Sequence, residues 1–134
     1  MANNEKPLGI AIVICEKVIT EERTNNKTLV STFNIIGAKN FPCRHPRMAA
    51  YVTLTNAFGE RDICLAMKLG EEKVFELKGR VTFNDPNHVV ELIFNIHDCL
   101  FPLAGRYCFE VTSDGEFVFD TRFHVIQLPN NEDV

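Results

Sequence analysis

Apolar residues recur at every second position along most of this chain, and this alternation constrains the fold more than any other feature. Near the end of the chain, Phe117, Phe119, Phe123 and Val125 alternate with polar neighbours such as Asp120. Successive side chains of an extended strand point to opposite faces, so a period of two is typical of a half-buried strand. Similar runs predict about eight strands in all. The other runs are Leu8–Ile19, Leu29–Ile36, Met48–Leu54, Ile63–Leu69, Phe75–Val81, Val90–His97 and Tyr107–Thr112.

Turn residues separate these runs at short, regular intervals. Asp114-Gly115, between two alternating runs, is a strong signal for a tight hairpin because that turn needs positive φ. A 3.6-residue period is missing from every long segment, and only Phe41–Pro46 is expected to form a short helical turn. The pattern predicts an all-β fold, an antiparallel β-sandwich of about eight strands with immunoglobulin-like or related Greek-key topology.

The length and composition fit one globular domain. The chain has 134 residues, of which 46% are hydrophobic and 24% are charged. We predict a single sandwich domain over residues 8–128, with polar, flexible termini at 1–7 and 129–134.

The net charge and the length of the longest apolar run near the N-terminus indicate which kinds of partner are not expected. The net charge is −4 and the basic residues are scattered, so a nucleic acid partner is not expected. The apolar run Leu8–Cys15 is too short to span a bilayer and is interpreted as a strand, so no membrane partner is expected. The same run makes a poor signal peptide, so a cytoplasmic location is expected. Five cysteines without CxxC spacing predict reduced thiols.

The adjacent residues His97, Asp98 and Cys99 are the types that cooperate in thiol hydrolases. If the strand continues through them, His97 and Cys99 share one face while Asp98 points to the other. Neighbours arranged in this way cannot form a catalytic relay. We therefore interpret the trio as the end of a strand and predict no catalytic residue here.

A metal or thiol site is the alternative reading of the same region. Cys43 and His45 are two residues apart, as are His97 and Cys99, and one tetrahedral ion could take both pairs. These four residues are the candidate ligands for a metal-binding, small-ligand or thiol-enzyme function. The loose spacing does not favour it, and no metal or other cofactor is predicted.

The segment after the trio has the features of a corner between sheets. Pro102 fixes φ, Gly105 permits a bend, and Tyr107 then begins a strand. In sandwiches such a tyrosine hydroxyl can bind nearby backbone. The trio is therefore interpreted as the approach to this corner.

Two runs are apolar on both faces, Leu8–Cys15 and Met48–Leu54. Since one sandwich buries only one face of each sheet, the excess predicts a binding or assembly module. The partner would be another protein or a second copy, as in a homodimer. A sugar-binding sandwich is less favoured because the chain lacks Trp and has two Tyr.

Three segments, "CEKVITEE", "FPCRHPRMAAYVTLTNAFGE" and "FPLAGRYCFEVTSDGEFV", resemble a family of small bacterial β-sandwich proteins catalogued as a domain of unknown function. The resemblance extends over Leu8–Leu128. It implies the sandwich fold and a bacterial cytoplasmic setting, and it implies no catalytic residue.

Overall fold

The computed structural model describes residues 5–129, and within this range it contains nine strands and no helix. The parts of the predicted flexible termini at residues 1–4 and 130–134 lie outside the described residues. The strands are β1 (Leu8–Thr20), β2 (Lys27–Thr32), β3 (Ile35–Ala38), β4 (Cys43–Thr55), β5 (Gly59–Leu69), β6 (Glu72–Phe83), β7 (Val90–Phe101), β8 (Gly105–Ser113) and β9 (Glu116–Gln127).

The strands form two sheets, which confirms the predicted all-β sandwich. The first sheet has the order β2-β1-β4-β7 and the second has the order β3-β9-β8-β5-β6. In immunoglobulin terms, β4 and β7 take the places of strands B and E, whereas β5, β8 and β9 take those of C, F and G. The loops after β4 and β8 therefore lie at the same end of the sandwich.

The predicted count of about eight strands is one short because the run Leu29–Ile36 is divided between the two sheets. Ser31 has a φ of 55°, and the Phe33 amide donates a hydrogen bond to the Ile14 carbonyl at 2.9 Å. The chain then crosses to the second sheet, where β3 pairs with β9 in parallel. A period of two continues through such a crossing, so it cannot mark the break.

The expected helical turn at Phe41–Pro46 is wrong. Residues 43–46 already belong to β4, where Cys43 lies opposite Phe101 and His45 lies opposite Cys99 of β7. Pairing along a neighbouring strand outweighs the local restriction that the two prolines impose.

The core lies between the sheets and is formed by alternate residues of their inner faces. Rings from three strands pack edge-on or stacked, with Phe101 5.2 Å from Tyr107 and Phe109 5.2 Å from Phe123. The largest fully buried side chains are Tyr107, Phe83, Phe101, Phe109, Phe123, Met48, Leu54, Ile63, Leu65, Met67, Val52 and Val111.

A hairpin of residues 16–32, which we call the flap, folds back over the outer face of the first sheet. β1 pairs with β4 only as far as Cys15, and its remaining residues pair with β2 as far as Thr20 opposite Lys27. If the hairpin continued in line with the first half of β1, Lys27 would be about 30 Å from Glu91 of β7. Its Nζ instead lies 3.1 Å from the Glu91 carboxylate, which fixes the fold-back.

Candidate functional site

The four candidate ligands lie on two paired strands but do not converge. β4 supplies Cys43 and His45, and β7 supplies His97 and Cys99, with His45 directly opposite Cys99. Cys99 is buried and Cys43 packs against the core, whereas His97 is exposed. Within residues 5–129, no group of three or more His, Cys, Asp or Glu side chains is arranged to hold a metal ion.

The predicted geometry of the His97-Asp98-Cys99 trio is wrong in one respect. His97 and Asp98 are both exposed and Cys99 is buried, so His97 and Cys99 do not share a face. The reason is the φ of 51° at Asp98, which interrupts the alternation. Aspartate tolerates this left-handed conformation better than most residues do. The trio again offers no relay, because the thiol points away from the imidazole.

Cys99 is a core thiol. Its side chain is 3% exposed, and its Sγ lies 3.9 Å from the Met67 Sδ. Burial, with a smaller contribution from nearby Cys43, raises the pKa of Cys99 to about 12. A thiol with so high a pKa carries almost no thiolate at neutral pH and is a poor nucleophile.

The remaining thiols are not activated either. Burial raises the pKa of Cys43, and it is the largest cause of the raised pKa values of Cys15, Cys64 and Cys108. Cys64 also donates a hydrogen bond to Glu76 at 3.2 Å, which favours the protonated thiol further. All five cysteines are unpaired. None of the five thiols therefore has the lowered pKa that the alternative thiol-enzyme function would require.

The two histidines lie on a shallow groove of about 560 Å³ at the bend of the flap. The ring of His45 is 5.8 Å from that of Phe33. Arg47, which lines the same groove, forms an ion pair with Glu16 of the flap. Its guanidinium nitrogen lies 3.3 Å from the Glu16 carboxylate oxygen. The groove therefore combines one ion pair with two imidazoles and holds neither candidate cysteine.

Tyr107 confirms the predicted corner. Its hydroxyl donates a hydrogen bond to the Leu103 carbonyl at 2.7 Å, four residues upstream. Gly105, between them, has a φ of 157°. The segment that follows the His97-Asp98-Cys99 trio is thus a structural corner of the immunoglobulin type.

Sequence reasoning missed a set of exposed apolar residues at the end of the sandwich where β1, β7 and β9 begin and where the loop after β4 lies. Leu8 lies opposite Thr55, and the Thr55 hydroxyl donates to the His88 carbonyl at 2.8 Å, beside Val89. We call the cluster the apolar end. It comprises Leu8, Ile10, Phe58, Val89 and Phe117, whose exposed fractions are 59, 52, 50, 55 and 47%.

Hydrogen bonds fix the loops of the apolar end. The Arg61 guanidinium donates to the Phe58 carbonyl at 3.2 Å and lies 3.8 Å from the Asp114 carboxylate. That carboxylate accepts a bond from the Asp62 amide at 3.0 Å, and the Asn56 amide donates to the Pro86 carbonyl at 3.0 Å. The backbone that carries the apolar side chains is therefore held in place by hydrogen bonds. A phenylalanine in the polar turn "NAFG" was the one available signal.

Comparison with known proteins gives a family without a described activity. The profile of a family of unknown function, DUF6941, matches residues 10–126. No curated protein matches the chain. Residues 5–129 contain no helix that could cross a membrane.

Proposed function

The chain belongs to DUF6941, a family of unknown function, and we propose that it is a non-enzymatic assembly module that binds a second copy of itself through the apolar end. The observation that carries the proposal is the exposure of five large apolar side chains at one end of the sandwich. Exposed apolar side chains gathered in one region are characteristic of protein contact sites.

The location of the apolar end supports a binding role. The loop after β4, which carries Phe58, and the loop after β8 correspond to two of the loops with which immunoglobulin variable domains bind their ligands. Their backbone is held by Arg61 and Asp114, so little ordering is needed when a partner docks.

The chemistry of the apolar end favours a second copy over a charged partner. All five of its defining side chains are uncharged. In a two-fold dimer the same patch meets itself, and an uncharged patch does so without repulsion. The outer faces of β1 and β4, whose apolar residues predict assembly, contribute less because Ala49 and Thr53 on that side are already buried.

The five unpaired thiols favour a reducing compartment. We accordingly place the assembly in the cytoplasm, in the bacterial setting that the sequence resemblance implies.

Sedimentation of matched variants tests the assembly proposal. Ile10→Thr and Phe58→Ser place polar groups in the apolar end. Ile19→Thr changes a residue of the same strand as Ile10 with a similar exposure, 47%, on the flap. We expect wild type and Ile19→Thr to form dimers at micromolar concentration and the two apolar-end variants to remain monomers.

Two results would contradict this proposal. The first is a wild-type protein that stays monomeric up to hundreds of micromolar, which would leave the apolar end to a different protein partner. The second is loss of the dimer in Ile19→Thr alone, which would move the interface to the flap.

A metal or ligand site at Cys43, His45, His97 and Cys99 remains the alternative, and two imidazoles on one groove are the observation in its favour. Isothermal calorimetry of a zinc titration tests it. Stoichiometric binding by the wild type that is abolished in both His45→Ala and His97→Ala would support the alternative. A wild-type binding heat no greater than that of the variant carrying both substitutions would contradict it.

A further inference from the structure

We propose that the flap opens and closes as a unit on a hinge at Glu16 and Ser31, and that a latch of Lys27, Glu91 and Tyr51 holds it closed. This inference goes beyond the assembly function and stands independently of it, since none of these residues belongs to the apolar end. The closed flap covers the outer face of the first sheet, and the open flap would expose it.

The hinge is visible in the pairing of β1 with β2. Cys15 pairs with Thr32 and Lys17 pairs with Val30, and the backbone turns between these two pairs. On β2 the turn falls at Ser31, whose φ of 55° is strained for a residue with a side chain. The ladder has no pair between Glu16 and Ser31, so the hairpin beyond this level can move as one piece.

The latch joins three strands by polar contacts. Lys27 Nζ of β2 lies 3.1 Å from Glu91 of β7, and the Lys27 side chain is only 10% exposed. The Tyr51 hydroxyl of β4 donates a hydrogen bond to the same carboxylate. Lys27 also donates to the Asn25 carbonyl at 2.7 Å, which aims its side chain.

One face of the flap lies toward the sheet. Val18, Lys27 and Leu29 share the face that turns inward, and all three side chains are partly buried. Ile19 and Thr28 on the opposite face are exposed. Such a thin element has few apolar contacts, so its opening costs much less than unfolding of the sandwich.

The residues under the flap form a layer separate from the main core. Cys15 and Ala49 are paired, lie on the outer face and are 0% and 1% exposed, yet neither belongs to the core cluster. The Cys15 Sγ contacts the Lys17 carbonyl at 3.4 Å, directly at the hinge. Opening of the flap would therefore expose the Cys15 thiol and leave Cys99 in the core.

Site-resolved thiol labelling tests the proposal on the intact protein. A small alkylating reagent is added under native conditions, and mass spectrometry follows Cys15 and Cys99 separately. Both thiols are almost fully buried, so each reacts only from an opened state. We expect Cys15 to react about tenfold faster than Cys99 or more, since local opening is more frequent than global unfolding.

Two substitutions separate the latch from general stability. Lys27→Met removes the charge but keeps the apolar stem, and it should raise the Cys15 rate about fivefold. The Cys99 rate should rise by about the same factor, because unfolding breaks the same contact. The matched control is Lys73→Met, which removes an ion pair of 2.9 Å to Glu76 on the other sheet. This control should leave the Cys15 rate unchanged.

Equal labelling rates of Cys15 and Cys99 in the wild type would overturn the proposal, because both thiols would then be exposed only by unfolding. An unchanged Cys15 rate in Lys27→Met would also overturn it. The proposal would be overturned as well if Lys73→Met accelerated the labelling of Cys15 as much as Lys27→Met does. Each of these outcomes leaves the dimerisation experiment unaffected.

Discussion

Single residues explain why the region that resembles a catalytic trio is structural. Asp98 takes a left-handed φ, which turns His97 outward and Cys99 inward. Cys99 then joins Met67 in the core, where burial raises its pKa. A few residues further on, the Tyr107 hydroxyl closes the corner onto the Leu103 carbonyl.

Removal of the Tyr107 hydroxyl should destabilise the fold without changing it. In Tyr107→Phe the ring still packs against Phe101 and Phe123, but the Leu103 carbonyl loses its donor. We expect the free energy of unfolding to fall by about 1 kcal/mol in urea denaturation. An unchanged midpoint with an unchanged slope would show that the corner bond contributes nothing.

The left-handed φ of Asp98 predicts a specific order of stability among variants. Glycine adopts this conformation freely, so Asp98→Gly should have a stability close to that of the wild type. Asp98→Val should cost about 1–3 kcal/mol because a β-branched residue is strained there. Thermal unfolding measures both, and equal stabilities of the two variants would contradict the assigned backbone.

Glu91 should make a pH-dependent contribution to stability. The hydrogen bond from Tyr51, followed by the contacts with Lys27, lowers the pKa of Glu91 below its ordinary value of 4.5. A carboxyl group with a lowered folded-state pKa stabilises the fold above its ordinary pKa and loses that effect as pH falls through the folded pKa.

The variant Glu91→Gln isolates this contribution. It should be less stable than the wild type at pH 7, and the difference between the two proteins should shrink as the pH is lowered below 4.5. Urea titrations at several pH values give the comparison. A difference that stays constant from pH 7 to pH 3 would contradict the ionised latch.

At the scale of elements, alternation predicted most strands but not their bends. Each of the runs that became β4 to β9 lies in one strand of the structure. Their alternation is interrupted at Asp98 of β7, and the pairing shifts register after Met67 of β5 and after Val111 of β8. The run Leu29–Ile36 was predicted as one strand because its apolar pattern continues across the turn at Ser31 and the crossing after Phe33. Local patterning records which face is buried and does not record which sheet buries it.

The flap shows the same limit. From the sequence, Leu8–Cys15 and Met48–Leu54 carry more apolar residues than one face can bury. The excess lies partly under the chain's own hairpin, where Cys15, Ala49 and Thr53 are buried. Only the contact between Lys27 and Glu91, 64 residues apart in sequence, reveals this fold-back.

Apolar substitution under the flap should destabilise the protein less than the same change in the core. Ala49→Ser places a hydroxyl under the flap, whereas Ala50→Ser places it between the sheets, and both sites are almost fully buried. We expect the Ala50 variant to lose about 1–3 kcal/mol, and the Ala49 variant less, because the flap can move to admit water. Chemical denaturation measures both, and a larger loss at Ala49 would contradict a movable cover.

At the scale of the whole molecule, the fold class was predictable and the candidate surface was not. The two-sheet sandwich and its tyrosine corner follow from alternation and from Pro102, Gly105 and Tyr107. The apolar end combines residues from β1, β9 and two loops, and their sequence separations carry no local signal. Val89 is brought close to Leu8 of β1 through Thr55 of β4 only when the sandwich closes.

Hydrogen exchange measured at low and at high protein concentration reports directly on self-association through the apolar end. We expect amides near Leu8, Phe58 and Phe117 to gain protection as the protein associates, while amides at the opposite end, near Leu103, keep their rates. No gain of protection at high concentration, or a gain confined to the opposite end, would contradict it.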